Sequence, residues 1–86
     1  MSNPTRKTNL EIRRVGEEVL VHDLDRAKVH ILNATAGDVL DLCDGEHSID
    51  DLARALADAT GADAREIEPD VRAVVATFSE QDLLRS

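Results

Sequence analysis

Tryptophan and tyrosine are absent, and Phe78 is the sole aromatic residue. The core must therefore come from Leu, Ile, Val and Ala. The basic patches with interleaved aromatics that grip nucleic acid cannot form either. Cysteine is almost as scarce. Cys43 stands alone, so no internal disulfide is available, which suits a reducing compartment. No apolar run approaches the roughly 20 residues of a membrane span. Residues 1–9 are polar and lack the apolar stretch of a signal peptide, so the cytoplasm is the expected location. Basic residues are outnumbered, with 10 Lys and Arg against 18 Asp and Glu and a net charge of −8. That balance repels phosphate backbones and anionic bilayers, so neither nucleic acid nor a membrane is an expected partner.

What is present suits one small domain. A chain of 86 residues buries only about 60–65% of the surface its unfolded form exposes, which leaves little core for a deep catalytic cavity. Apolar residues reach 42%, enough to exclude wholesale disorder despite 33% charged residues. Residues 1–9 read as a flexible arm, and residues 10–86 as the folded domain.

Between Leu10 and Leu32 the pattern is short and alternating. Leu10 and Ile12, then Val19-Leu20-Val21, then Val29 and Ile31 predict three strands. Turns at Gly16-Glu17-Glu18 and at residues 23–28 join them into two hairpins. After Asn33 the period lengthens to about 3.6. Thr35 with Asp38 resembles a capping box, followed by an apolar face of Ala36, Val39, Leu40 and Cys43. Asp44-Gly45 ends that helix. Ser48 with Asp51 repeats the start signal, and Ile49, Leu52, Ala53 and Leu56 share one face until Gly61 closes the second helix. Pro69 disfavours a helical Glu68 and suits a first turn, so a third helix is expected from Pro69 to about Gln81. Its stripe is Val71, Val74, Val75 and Phe78, and Leu83-Leu84 form an apolar tail. The fold class is α+β: a small winged-helix-like domain, three antiparallel strands followed by three helices.

No constellation of catalytic residues stands out. His22, His30, His47 and Cys43 lack metal-site spacing; in a simple register His22 and His30 would face each other, which is too few ligands. No metal and no cofactor is expected. Cys43 lies on an apolar stripe between Asp41 and Asp44, an environment that raises a thiol pKa and keeps it inert. The carboxylates Asp38, Asp41, Asp44, Glu46, Asp50 and Asp51 fall at helix starts and turns, where solvated charge favours the helix dipole. The third helix, with Glu66, Glu68, Asp70, Glu80 and Asp82 against Arg65, Arg72 and Arg85, has the wrong sign for reading DNA. Ser48 opens a helix beside acids, as the phosphopantetheine serine of a carrier protein does. Its context is not Asp-Ser-Leu, however, and a capping role already explains it, worth about 1 kcal/mol.

Four segments in order carry a resemblance. His30-Ile31-Leu32-Asn33-Ala34-Thr35-Ala36 reads as a strand-to-helix junction of the type Leu-Asn-x-Thr-Ala. Val39-Leu40-Asp41-Leu42-Cys43-Asp44-Gly45 follows as helix and turn, then Ser48-Ile49-Asp50-Asp51-Leu52, then Asp70-Val71, Val74-Val75, Phe78 and Leu83-Leu84. Together they resemble the PqqD family of peptide chaperones, or RiPP recognition elements, in its general PqqD-like branch. Asp82 stands where that family usually has glycine, and aspartate tolerates the left-handed conformation such a turn needs.

The resemblance implies a non-catalytic chaperone. It would bind the leader segment of a ribosomally made precursor peptide and present it to a modifying enzyme, often a radical SAM protein. The leader would add as a strand to the sheet edge at Lys28, Val29, His30, Ile31 and Leu32. Val71, Arg72, Val74, Val75 and Phe78 would supply the facing helix, and Lys28 or Arg72 would attract acidic leader residues. An open edge of this kind also permits a homodimer. The alternatives are a carrier protein modified on Ser48, or a small winged-helix regulator.

Overall fold

The computed structural model describes residues 3–85. Strands β1 (Leu10–Val15), β2 (Glu18–Asp23) and β3 (Lys28–Asn33) form one antiparallel sheet in the order β1-β2-β3. Helices α1 (Ala34–Leu42), α2 (Ile49–Thr60) and α3 (Ala64–Glu80) follow. This is the expected α+β arrangement. Alternation sends Val19, Val21 and Leu32 to the helical side, where they are buried with Val39, Leu40, Leu52, Leu56, Val71, Phe78 and Leu83. On the far side of the sheet Val29 and Ile31 remain 57% and 64% exposed.

Helix α1 begins without a linker. Asn33, the last residue of β3, caps it by accepting a bond from Ala36 N–H at 2.8 Å. The start therefore lies earlier than the Thr35-Asp38 spacing suggests, because the strand residue itself supplies the cap. Close approach of α1 to β2 depends on Gly37, where a Cβ would collide with the Cγ2 of Val19. Helix α2 starts at the expected capping box. Ser48 Oγ accepts from Asp51 N–H and Asp51 Oδ2 accepts from Ser48 N–H, both at 3.1 Å.

Helix α3 corrects the expected boundary. It begins at Ala64, not Pro69, with Asp63 as its cap accepting from Arg65 N–H at 2.9 Å. Pro69 lies inside and forfeits one intrahelical bond, to the carbonyl four residues back. Packing outweighs that loss, since the added turns bring Ile67 against the core. The far end closes in a Schellman motif. Leu83 N–H reaches Phe78 O at 2.9 Å and Asp82 N–H reaches Ser79 O at 3.1 Å, with Asp82 at φ 60. Aspartate thus takes the left-handed position expected of it.

The expected arm of residues 1–9 also needs correction. Met1 and Ser2 lie outside the described residues. Residues 3–9 are tied to the domain: Arg6 N–H donates to Cys43 O at 2.7 Å, Lys7 N–H to Leu83 O at 3.0 Å, and Arg85 N–H to Thr5 O at 2.7 Å. These are backbone bonds, which a polar side-chain pattern does not reveal.

Among the described residues one charged side chain is fully buried. Asp23, at the end of β2, is 0% exposed and accepts bonds from Lys7 Nζ at 3.0 Å, Asp25 N–H at 3.1 Å and Arg26 N–H at 3.3 Å. Asp82 joins the group through Lys7 at 3.6 Å and Arg26 at 2.9 Å. Burial by itself pushes the Asp23 carboxyl up, but Lys7 and the two backbone donors outweigh it and hold the carboxyl below its ordinary value.

Two outcomes follow. Gly37→Ala should lower stability by about 1–3 kcal/mol in urea unfolding, and by clearly less in a Val19→Ala background. Equal losses in both backgrounds would dissociate Gly37 from Val19. The depressed Asp23 contributes stability that is complete above its unfolded value and is lost as pH falls through its lower folded value. The double variant Asp23→Asn, Lys7→Met should therefore lose less stability than the parent between about pH 6 and about pH 3. Matching losses would show that the pair does not carry the acid sensitivity.

Candidate functional site

The two-residue turn at Gly16-Glu17 makes Val15 and Glu18 a hydrogen-bonded pair, with Gly16 at φ 62. In an antiparallel ladder such pairs alternate. Glu18, Leu20 and His22 therefore bond toward β1, and Val19, Val21 and Asp23 toward β3. On β3 their partners Leu32, His30 and Lys28 turn inward. Val29 and Ile31 are left with N–H and C=O groups aimed away from the sheet, and Asn33 with its N–H alone, because its C=O begins the bond ladder of α1 as the N-cap. Among the described residues no strand pairs with this side of β3.

Across the open side stands α3. No Cα of β3 comes within 8 Å of a Cα of α3, because α1 is the element that bridges sheet and helices. The intervening groove has a volume of about 340 Å³. Its walls are Ile31, Leu32, Asn33 and Ala36 on one side and Ala73, Val74, Thr77, Phe78 and Gln81 on the other. No charged side chain lines it. A strand added to β3 would sit about 4.8 Å from it, inside this gap.

The structure separates the residues singled out by the stripe pattern. Ile31, Leu32, Val74 and Phe78 meet at the groove. Val71 and Phe78 are 1% exposed, so Val71 belongs to the core and Phe78 backs the groove wall from within it. Arg72 and Val75 lie on the opposite flank of α3. There they line a larger concavity of about 570 Å³ with Ser48, Ile49, Leu84 and Arg85. Arg72 also pairs with Glu68 at 2.9 Å. That concavity borders no strand edge, so greater volume does not make it the better site for an extended ligand. Lys28 and Val29 are exposed on β3, and His30 is half-buried on its helical side.

Asn33, Ala36, Ala73, Thr77 and Gln81 were not legible as groove residues. Small and polar side chains on a helix flank carry no periodic signal.

Other candidates change less. His22 opposes Val29, and His30 opposes Val21. The two histidines thus sit on opposite faces of the sheet and do not face each other. Burial pushes the Cys43 thiol up to about 11, Asp44 adds to this, and Arg6 opposes it. Ser48 is engaged as the cap of α2.

Residues 18–84 match the family model described as Coenzyme PQQ synthesis protein D (PqqD). No curated protein sequence matches this chain. Three solved structures share the fold. TbiB1 in complex with the TbiA(beta) leader peptide is 16% identical, with a TM-score of 0.81 and 95% of each chain covered. Lasso peptide synthetase B1 complexed with the leader peptide is 18% identical, with a TM-score of 0.81, covering 98% of this chain and 99% of that one. The solution NMR structure of the PqqD truncation of Methylobacterium extorquens PqqCD, a functional and stand-alone RiPP recognition element, is 21% identical. Its TM-score is 0.80, with 96% of this chain and 88% of that one covered.

The split between core and groove has a direct consequence. Phe78→Ala should cost about 3–5 kcal/mol in stability. Val74→Ala, half-exposed at the groove, should cost about 1 kcal/mol or less. Comparable losses in denaturant unfolding would contradict the separation of the two roles.

Proposed function

This chain belongs to the PqqD family, and we propose that it is a non-catalytic, cytoplasmic peptide chaperone. It binds the leader segment of a ribosomally made precursor peptide as an added strand on β3 and presents it to a modifying enzyme, often a radical SAM protein. The observation that carries this reading is the unpaired backbone of Val29 and Ile31 beside an uncharged groove that keeps α3 at a distance.

Strand addition suits that geometry. Outward N–H and C=O groups on β3 supply sequence-independent affinity, and pockets for alternate side chains supply selectivity. One set of leader side chains points to the helical side, toward Leu32, Val74 and Phe78. The other set lies on the outer face, beside Val29 and Ile31, whose exposure then has a purpose. Lys28, exposed at the start of the edge, attracts acidic leader residues. Val71 supports the wall from the core, and Arg72 and Val75 stand on the flank away from the leader.

A carrier protein modified on Ser48 is disfavoured by the engaged Ser48 cap and by the three-stranded sheet. The test starts from the tagged chain purified from its native cell, with co-eluting peptides identified by mass spectrometry. The captured precursor should bind the parent chain and fail to bind Ile31→Pro. That variant removes an outward donor while sparing the inner ladder, so its circular dichroism should stay native. A folded Ile31→Pro chain that binds normally would end the edge-strand reading, and a phosphopantetheine mass on Ser48 would replace it with the carrier.

A further inference from the structure

Strand addition uses one flank of α3. The other flank bounds the concavity of about 570 Å³. Its floor is apolar: Ile49 from α2, Val75 from α3 and Leu84 from the carboxyl-terminal segment, all half-buried and packed against the core. Two exposed guanidiniums, Arg72 and Arg85, line it against the one carboxylate of Asp50. That reverses the balance of the chain, in which 18 acids outnumber 10 bases. Both arginines are open to a partner. Arg85 forms no ion pair among the described residues, and Arg72 makes only the exposed pair with Glu68 one turn back, which contributes little and is readily exchanged. The backbone beneath is fixed beforehand. Arg85 N–H donates to Thr5 O at 2.7 Å, Leu84 pairs with Arg6, and Ile49 opens α2 directly after its capping box. Little ordering of the backbone is left for binding to impose.

We propose that this concavity docks the modifying enzyme, through a segment of it that sets carboxylates against Arg72 and Arg85 and an apolar side chain on Ile49, Val75 and Leu84. An apolar centre with arginine at its margin is the make-up of a protein interface. The guanidinium fork binds a carboxylate with two parallel hydrogen bonds, so it fixes orientation as well as attracting charge. The excess of carboxylates over the rest of the chain repels the same acidic segment, which confines it to this place. Docking here leaves the uncharged groove on the other flank of α3 open. Leader and enzyme are then held together on two sides of one helix, and neither has to leave for the other to bind.

This rests on the chaperone reading, and one experiment tests the two separately. In the native cell the full-length chain carries a photo-crosslinking phenylalanine analogue in place of Ser79, which is exposed at the concavity. The same probe is placed in the Ile31→Pro chain, and cross-linked partners are identified by mass spectrometry. In both chains the probe should mark one enzyme, on a segment containing Asp or Glu, whose deletion leaves the precursor unmodified. The precursor should co-purify with the parent alone. The purified enzyme should bind the parent and lose at least tenfold in affinity for the double variant Arg72→Glu, Arg85→Glu. That variant should keep its native circular dichroism and its affinity for the precursor. Exchanging the marked acid of the enzyme for arginine should restore binding to it. Added salt should weaken the parent complex more than that of the double variant. Cross-links only to the precursor or to a second copy of this chain, or none at all, would overturn the docking surface. So would undiminished affinity of the double variant for the enzyme, or an equal loss of affinity for the precursor. In each case loss of the precursor from Ile31→Pro would leave strand addition standing. A precursor retained by Ile31→Pro would end strand addition, and the charge-reversal result would decide the docking surface by itself.

Discussion

The buried carboxylate of Asp23 is the constraint on which the rest of the structure hangs. It closes the hairpin that delivers β3, because its bonds to Asp25 and Arg26 N–H shape the loop between β2 and β3. Through Lys7 it holds the amino-terminal segment, and through Lys7 and Arg26 it reaches Asp82, the left-handed residue that ends α3. Both walls of the groove are thus fixed at one end by the same set of charges. An uncompensated carboxylate at that depth would be untenable, and removing one partner is the costly change.

Clamping at one end lets the walls stand apart elsewhere. Helix α1 is the spacer: Gly37 lets it settle on Val19, and Arg14 ties β1 to it through Asp38 at 2.9 Å and Asp41 at 2.7 Å. Helix α3 then packs on α2 and α1 and leaves the side of β3 uncovered. An edge strand with unpaired backbone groups invites aggregation unless something covers or replaces it. Here an uncharged groove of limited width lies beside it, so an extended peptide segment fits where a second folded sheet would meet α3. The chain's strong negative charge works in the same direction, because it opposes self-association of free copies.

Much of the fold was legible from local pattern. Alternation marked the three strands, and the Ser48-Asp51 spacing marked the start of α2 because both halves of a capping box lie within four residues. Asp82 was legible as a left-handed position only through the family resemblance, which puts glycine there. The start of α3 was not, because Pro69 argues locally for a boundary that the burial of Ile67 overrules. Residues 3–9 were misread as an arm because backbone bonds to Cys43 and Leu83 leave no trace in side-chain chemistry.

The sequence by itself determined the class of protein: a small acidic domain with an aliphatic core, three strands before three helices, and an ordered set of segments that marks its family. The core and the order of elements follow from composition, periodicity and capping, which act over a few residues, whereas the family rests on the resemblance of the segments. Tertiary structure alone decided which side of α3 faces the open edge of β3. Val71, Val74, Val75 and Phe78 span a stripe wide enough to face the core, the groove and a second concavity at once. Only the placement of α1 and β3 assigns Val74 and Gln81 to the groove and Val75 and Arg72 to the far flank. Contact between elements distant in sequence is a property of packing, and packing is settled by the whole core together.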